Sequence, residues 1–337
     1  MNKLEKDFMI AWLLGMVLPA LILGLFMVAI EPAKQHHDDT DTTADTSQSY
    51  IISDPPAMTI PVLGSDGSVA VMDLENYLCG VVLAEMPVDF EPEALKAQSV
   101  VARTYALRRL TRGTKHLSGA VCMDPACCQG YLSPEEFMQK GGTQSGIAKV
   151  SQAVYATAGE VLLYGGELID ATYFSCSGGM TEDAADVWGS DVPYLQSTDS
   201  PGEEDALHYS DSLILDRYAV EDALDMAFTG EPDEWFRILS FTEGGGVEEV
   251  LVCGSSFTGV QLRKLLSLRS TNFTVSATEN EIVFYTRGYG HRVGMSQYGA
   301  DAMAINGSTY DEILAHYYHG TTLECYDRAI DKPGKSE

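Results

Sequence analysis

The sequence is short of positive charge: 21 Lys and Arg stand against 49 Asp and Glu, a formal net charge of −28 over 337 residues. A nucleic-acid binder neutralises phosphates with a basic face, so this balance excludes that class. There is no internal repeat, and no low-complexity tract dominates the chain. With 45% apolar and 21% charged residues, the composition is that of a folded protein rather than a disordered one. Seven cysteines are too few for a disulfide scaffold of this length, and the odd count leaves at least one free or bound to something other than cysteine.

Long apolar runs are also absent, with one exception. Residues 8–30, FMIAWLLGMVLPALILGLFMVAI, carry no charge, and at ~1.5 Å rise per residue they exceed a ~30 Å hydrocarbon core. Ile30-Glu31-Pro32 lacks the small residues of a cleavage site, which favours an uncleaved anchor over a signal peptide. Lys3 and Lys6 place the short N-terminus inside, so the bulk of the chain is expected outside the membrane. The expected organisation is a tip and transmembrane anchor over 1–30, a polar acidic linker over 31–57, an α+β region of helices and short strands over 58–327, and a tail over 328–337.

Asp73 is placed to cap a helix through LENYLCGVVLAEM that ends near Met86, ahead of Pro87. Its apolar stripe is Leu74, Leu78 and Val81, and the next position on it is Glu85, about 20° from Leu74 around the helix. Desolvation and the negative end of the helix dipole both favour a protonated carboxyl there, as a general acid needs. The alternative is a buried ion pair with Arg or Lys. Glu91-Pro92-Glu93 opens a second helix on which Lys96, Ser99 and Arg103 share a face. From Ala94 to Met123 there is no acid, while six of the 21 basic residues fall in this stretch. It is either a solvated face or a site for an anionic ligand beside Glu85.

His116, Cys122, Cys127 and Cys128 form an H-x5-C-x4-C-C cluster. A His/Cys3 set suits a closed tetrahedral structural zinc, with no open position for water and hence no direct part in chemistry. A disulfide such as Cys122 to Cys128 is the rival in an oxidising compartment. Cys79, Cys176, Cys253 and Cys325 read as small buried fillers.

The stretch LENYLCGVVLAEMPVDFEPEALKAQSVVARTYAL, with YFSCSGGMTEDAADVWG (173–189) and RGYGHRVGMSQYGADAMA (287–304), closely resembles the stage II sporulation protein D family. These are membrane-anchored lytic transglycosylases that cut peptidoglycan during engulfment. The resemblance covers residues 60–325 and implies two lobes around a glycan-binding cleft, with Glu85 as the catalytic acid and Lys96 and Arg103 as polar residues important for activity. It supports zinc on the cysteine cluster, with Cys127 the least secure ligand. It further implies stage II sporulation proteins P, an amidase, and M, a membrane scaffold, as partners, and a place in the mother-cell membrane facing the septal wall. Tyr173, Ser175, His291 and Gln297, in the other two motifs, are candidate sugar-binding groups. The small residues Ser175 to Gly179 and the turn Gly288 to Gly294 are expected to aim backbone amides at a ligand. A transglycosylase needs a single acid, because the 6-hydroxyl of N-acetylmuramic acid is its nucleophile; a hydrolase needs a second carboxylate opposite. Domains of the family also occur in amidase enhancers, so a wall-binding module is the rival from another class.

Overall fold

In the computed structural model, which describes residues 58–326, Asp73 caps the first helix as its position predicts. Strands β1 (Thr59–Leu63) and β2 (Val69–Asp73) pair antiparallel, and the Asp73 carboxylate accepts from Asn76 N–H at 3.0 Å to start α1 (Leu74–Glu85). Met86 takes extended backbone ahead of Pro87, which ends the helix. The anchor over 8–30, the linker over 31–57 and the tail over 328–337 lie outside the described residues. Among the described residues, no helix is long and apolar enough to cross a membrane.

Helix α1 is buried on more than its expected stripe, since Tyr77, Cys79, Gly80, Val82 and Leu83 are covered as well as Leu74, Leu78 and Val81. The reason is its central position: α2 (Pro92–Arg112), α3 (Pro134–Gln139) and α4 (Gln144–Ala156) all pack on it. Strand β3 (Val121–Cys122) adds in parallel to β1. β4 (Glu160–Tyr164) pairs with β5 (Glu167–Leu168) and, on its other edge, with the distant β14 (Thr322–Cys325). After β5 the chain is irregular until Tyr173–Phe174 (β6), which pairs in parallel with β13 (Met295–Ser296).

The acid-free stretch on α2 does not make an open cationic face, because acids from elsewhere in the chain meet it. Arg103 is fully buried: Nε and Nη2 donate to Glu75 at 3.0 and 2.5 Å, Nη1 to Glu160 O at 3.1 Å, and Nη2 to Val154 O at 3.1 Å. Glu75 lies in the first turn of α1, ten residues and about 15 Å along the axis from Glu85. Arg108 pairs with Asp170 at 2.7 Å, Arg112 with Glu167, and Lys96 with Glu93 at 2.6 Å while lying over the Tyr310 ring. Arg103 is therefore a buried structural ion pair and not a glycan contact.

A second hydrophobic core is inserted after α5 (Ala184–Trp188). It is built from β7 (Ser210–Asp216), α6 (Arg217–Leu224), β8 (Phe236–Phe241), β9 (Val247–Val252), β10 (Ser255–Thr258), α7 (Gly259–Leu266), β11 (Asn272–Ala277) and β12 (Glu281–Arg287). Two antiparallel sheets, ordered β10-β9-β8 and β11-β12-β7, bury Val220, Trp235, Val250, Leu262, Phe273 and Phe284. The chain then returns to the first core through β13, α8 (Gln297–Ile305) and α9 (Tyr310–Tyr317), where Met295, Ala300 and Leu314 are buried. The first core is thus made of two chain segments with the second core between them.

One guanidinium ties these parts together. Arg292, fully buried and with positive φ of 65°, donates to Ser177 O at 2.7 Å, Met180 O at 2.8 Å and Glu182 Oε1 at 2.8 Å. It also donates at 2.5 Å to Gly244 O, in the turn between β8 and β9. Glu182 in turn accepts from Thr242 Oγ1 at 2.7 Å.

Candidate active site

Glu85 is the last residue of α1 and is half-buried. Its Oε1 accepts from Gly130 N–H at 2.5 Å, and the Tyr173 hydroxyl also hydrogen-bonds to the carboxyl. A Cβ at Gly130 would sit 2.9 Å from Oε1, so the close approach of this amide depends on glycine. Burial pushes the Glu85 carboxyl above its usual range, and the two hydrogen bonds hold it back only in part. No cation and no second carboxylate is among the groups that shift it. Among the described residues no Arg or Lys pairs with Glu85, so the alternative of a buried ion pair is not what they hold.

Tyr173 belongs to this site as Glu85's donor. Its hydroxyl also accepts from Gln129 Nε2 at 3.2 Å. His291 braces Tyr173 from behind by a hydrogen bond to its backbone, while its Nδ1 accepts from Val293 N–H at 3.1 Å. Burial, with Arg263 nearby, pulls the His291 imidazole down to about 4, so it is neutral at neutral pH. Gln297 is buried and donates from Nε2 to Glu85 O at 3.0 Å, which holds the carbonyl at the end of α1. His291 and Gln297 thus position the acid's surroundings. Ser175 is half-buried beside them, and its carbonyl accepts from Tyr298 N–H at 3.0 Å.

The small-residue motif does present backbone amides to a carboxylate, but the carboxylate is the protein's own. Glu203 is buried, and its Oε2 accepts from Ser177 N–H at 2.9 Å, Ser177 Oγ at 2.7 Å and Gly178 N–H at 3.0 Å. Oε1 accepts from Ser200 Oγ at 2.7 Å and from the hydroxyl of Ser296, the N-cap of α8. Cys176 Sγ stands 3.4 Å from Oε2, and burial beside that carboxylate pushes its thiol up to about 12. The expectation that these amides face a ligand is therefore corrected: a single acidic side chain fastens the second motif to the third. Nothing in the local pattern of Gly202-Glu203-Glu204 marked it.

The cysteine and histidine cluster closes near Glu85. His116 Nε2 and the three Sγ atoms of Cys122, Cys127 and Cys128 all lie within 4.8 Å of one another. Nε2 is 3.5 Å from Cys127 Sγ and 4.0 Å from Cys128 Sγ. Tetrahedral zinc, with bonds of about 2.3 Å to sulfur, sets ligand atoms about 3.8 Å apart, so the donor set fits that ion in kind and spacing. The chain leaves the cluster at Cys128 and runs directly into Gln129 and Gly130, the donors to Tyr173 and Glu85. Of the remaining cysteines, Cys79 and Cys176 are buried as expected, whereas Cys253 is half-buried and Cys325 is exposed on the edge strand β14.

A family model described as "Stage II sporulation protein" matches residues 64–164. The chain is 33% identical over 331 residues to the stage II sporulation protein D of Bacillus subtilis, covering 94% of this chain and 96% of that protein. It is 33% identical over 301 residues to the stage II sporulation protein D of Bacillus amyloliquefaciens, with 88% and 87% covered. A protein of Bacillus subtilis named amidase enhancer is 31% identical over 302 residues, which span 74% of this chain and 40% of that one.

The Glu203 arrangement makes a direct prediction. Glu203→Gln places an amide among hydroxyl and N–H donors that need an acceptor, so folding stability should fall by roughly 2–4 kcal/mol. Urea denaturation followed by circular dichroism measures it; a midpoint equal to wild type would show that the carboxylate does not fasten the two motifs.

Proposed function

The chain belongs to the stage II sporulation protein D family, and from that premise we propose that it is a peptidoglycan lytic transglycosylase with Glu85 as general acid and base. The observation that carries this reading is the desolvated Glu85 carboxyl at the end of α1, held by one amide and one phenol and met by no cation. A carboxyl raised above its ordinary range keeps more of its proton near neutral pH, and that proton is what the leaving glycosidic oxygen needs. Glu85 gives it to the oxygen between N-acetylmuramic acid and N-acetylglucosamine as the C1–O bond breaks. The 6-hydroxyl of the same muramic acid then forms a bond to C1, and its proton passes to the Glu85 carboxylate, which restores the acid. Gly130 N–H fixes Oε1, and Tyr173, set by Gln129 and His291, fixes the orientation of the group.

The second reading is a wall module without chemistry, favoured by the likeness to the protein named amidase enhancer. Glu85 argues against it. A binding module has no use for a desolvated carboxyl held by a glycine amide, which is costly to keep.

In this proposal the anchor over 8–30 holds the protein in the mother-cell membrane with residues 58–326 facing the septal wall, and stage II sporulation proteins P and M are its partners in engulfment. His116, Cys122, Cys127 and Cys128 hold a structural zinc, which closes the loop that delivers Gln129 and Gly130. The ion acts through folding, and through that loop on the position of the Glu85 donors.

Two outcomes are expected. Digested glycan should carry 1,6-anhydro-muramic ends, and Glu85→Gln should lower turnover by about 10²–10⁴ with the fold intact. Products with an added water in mass spectrometry, or an unchanged rate in the Gln variant, would contradict the mechanism. Protein purified without chelator should contain about one zinc per chain, and Cys122→Ser should lower both metal content and thermal midpoint. No metal together with a mapped Cys122 disulfide would decide for oxidation.

A further inference from the structure

Between the two cores lies a groove of about 780 Å³ that the chemistry at Glu85 does not account for. One wall is α7 and the segment after it, with Arg263, Lys264 and Arg269; the other carries Trp188, Tyr289 and His291. From Val250 to Thr278 the chain has these three cations and no acid. Asp211 pairs with Arg269 at the rim, so the groove keeps an excess of two positive charges in a chain of net charge −28.

Arg263 is the unusual member. It is half-buried, and its one side-chain bond runs from Nε to Arg269 O at 3.3 Å. Among the described residues no carboxylate lies within ion-pair distance of Arg263 or Lys264, whereas Arg103, Arg108, Arg112, Arg217, Arg269 and Arg292 each have one. Burial without an anion pulls the Arg263 guanidinium down. A desolvated guanidinium without a counter-charge is costly unless an anion arrives.

Beside these cations stand exposed rings. Trp188 is 46% and Tyr289 40% exposed; Trp188 tilts against His291 in the same wall, and Tyr289 tilts against His208 with the Arg269 guanidinium 5.3 Å from its ring centre. Aromatic faces next to a guanidinium fit a ligand that is at once an apolar ring face and an acid. The groove is linked to the catalytic end through one residue, since His291 lines it and bonds to the backbone of Tyr173, the donor to Glu85.

We infer that this groove is a subsite for an acidic sugar of the glycan strand, with Arg263, backed by Lys264, taking a carboxylate while Trp188 and Tyr289 take a sugar face. The inference rests on the glycan-cleaving reading above. It also moves the expected local positive field from Lys96 and Arg103 to the second core. The carboxylate has two possible sources, the lactyl group of muramic acid in a strand without peptides and the stem peptide in an intact strand.

The test is equilibrium binding to the full chain carrying Glu85→Gln, which prevents turnover, with four probes: chitotetraose, peptide-free glycan strands, the same strands with their carboxylates amidated, and peptide-bearing strands. The parent should prefer carboxylate-bearing strands over the amidated ones. Arg263→Gln should weaken the preferred strands by roughly 10-fold or more and leave chitotetraose unchanged. That loss should shrink as salt is raised. Lys264→Gln, at an exposed position where substitution leaves the core untouched, should show a smaller loss of the same kind. Trp188→Ala should weaken all four probes. A loss confined to peptide-free strands assigns the lactyl group, and one confined to peptide-bearing strands assigns the stem. Arg263→Gln binding every probe as the parent does, or weakening chitotetraose equally, would overturn the subsite while leaving the chemistry at Glu85 standing. A parent that binds no glycan at all would overturn both.

Discussion

A carboxylate taken out of water has to be met by donors, and three glutamates meet that requirement in three ways that shape the whole described fold. Glu182 is met by the fully buried Arg292, whose remaining donors fasten the second motif and the turn of the inserted core. Glu203 is met by backbone amides and hydroxyls from both of the later motifs. Glu85 is met by one amide and one phenol, with burial outweighing both. The first two arrangements satisfy the charge and lock the structure. The third leaves a carboxyl inclined to hold its proton, and it is the one in contact with a half-open surface.

These arrangements depend on one another. Arg292 and Glu182 set the relation between the cores, Glu203 sets β6 against β13 and the start of α8, and from that frame Tyr173 and Gln297 reach Glu85. The remaining donor, Gly130, arrives from the cysteine and histidine loop. The acid is therefore held from one side by the two C-terminal motifs and from the other by the cluster that suits a metal. A disturbance of either side changes the same carboxyl.

Local rules carried much of this in the sequence. The Asp73 cap, the stop at Pro87 and the 3.6-residue period located Glu85 at a buried helix end, and the spacing of His116, Cys122, Cys127 and Cys128 brought four ligand atoms together. What the sequence does not disclose is pairing across long separations. Arg103 looked free because no acid lies near it in the chain, yet Glu75, 28 residues earlier, meets it in the interior. Glu203 sits in an unremarkable acidic loop, and its donors come from as far as Ser296. The inserted core carries its own alternating strands, so nothing in the pattern marks where it leaves and rejoins the first. Arg263 and Trp188, 75 residues apart in the chain, line one groove only after folding.

The central claim is that Glu85 holds its proton because burial is answered by too few donors. Titration of the Glu85 carboxyl carbon by NMR, identified by loss of its signal in Glu85→Gln, tests this most directly. The account predicts a midpoint above the 4.5 of an ordinary glutamate, rising further in Gly130→Ala, where the amide can no longer approach Oε1. A midpoint at or below 4.5 in the wild-type protein would contradict it.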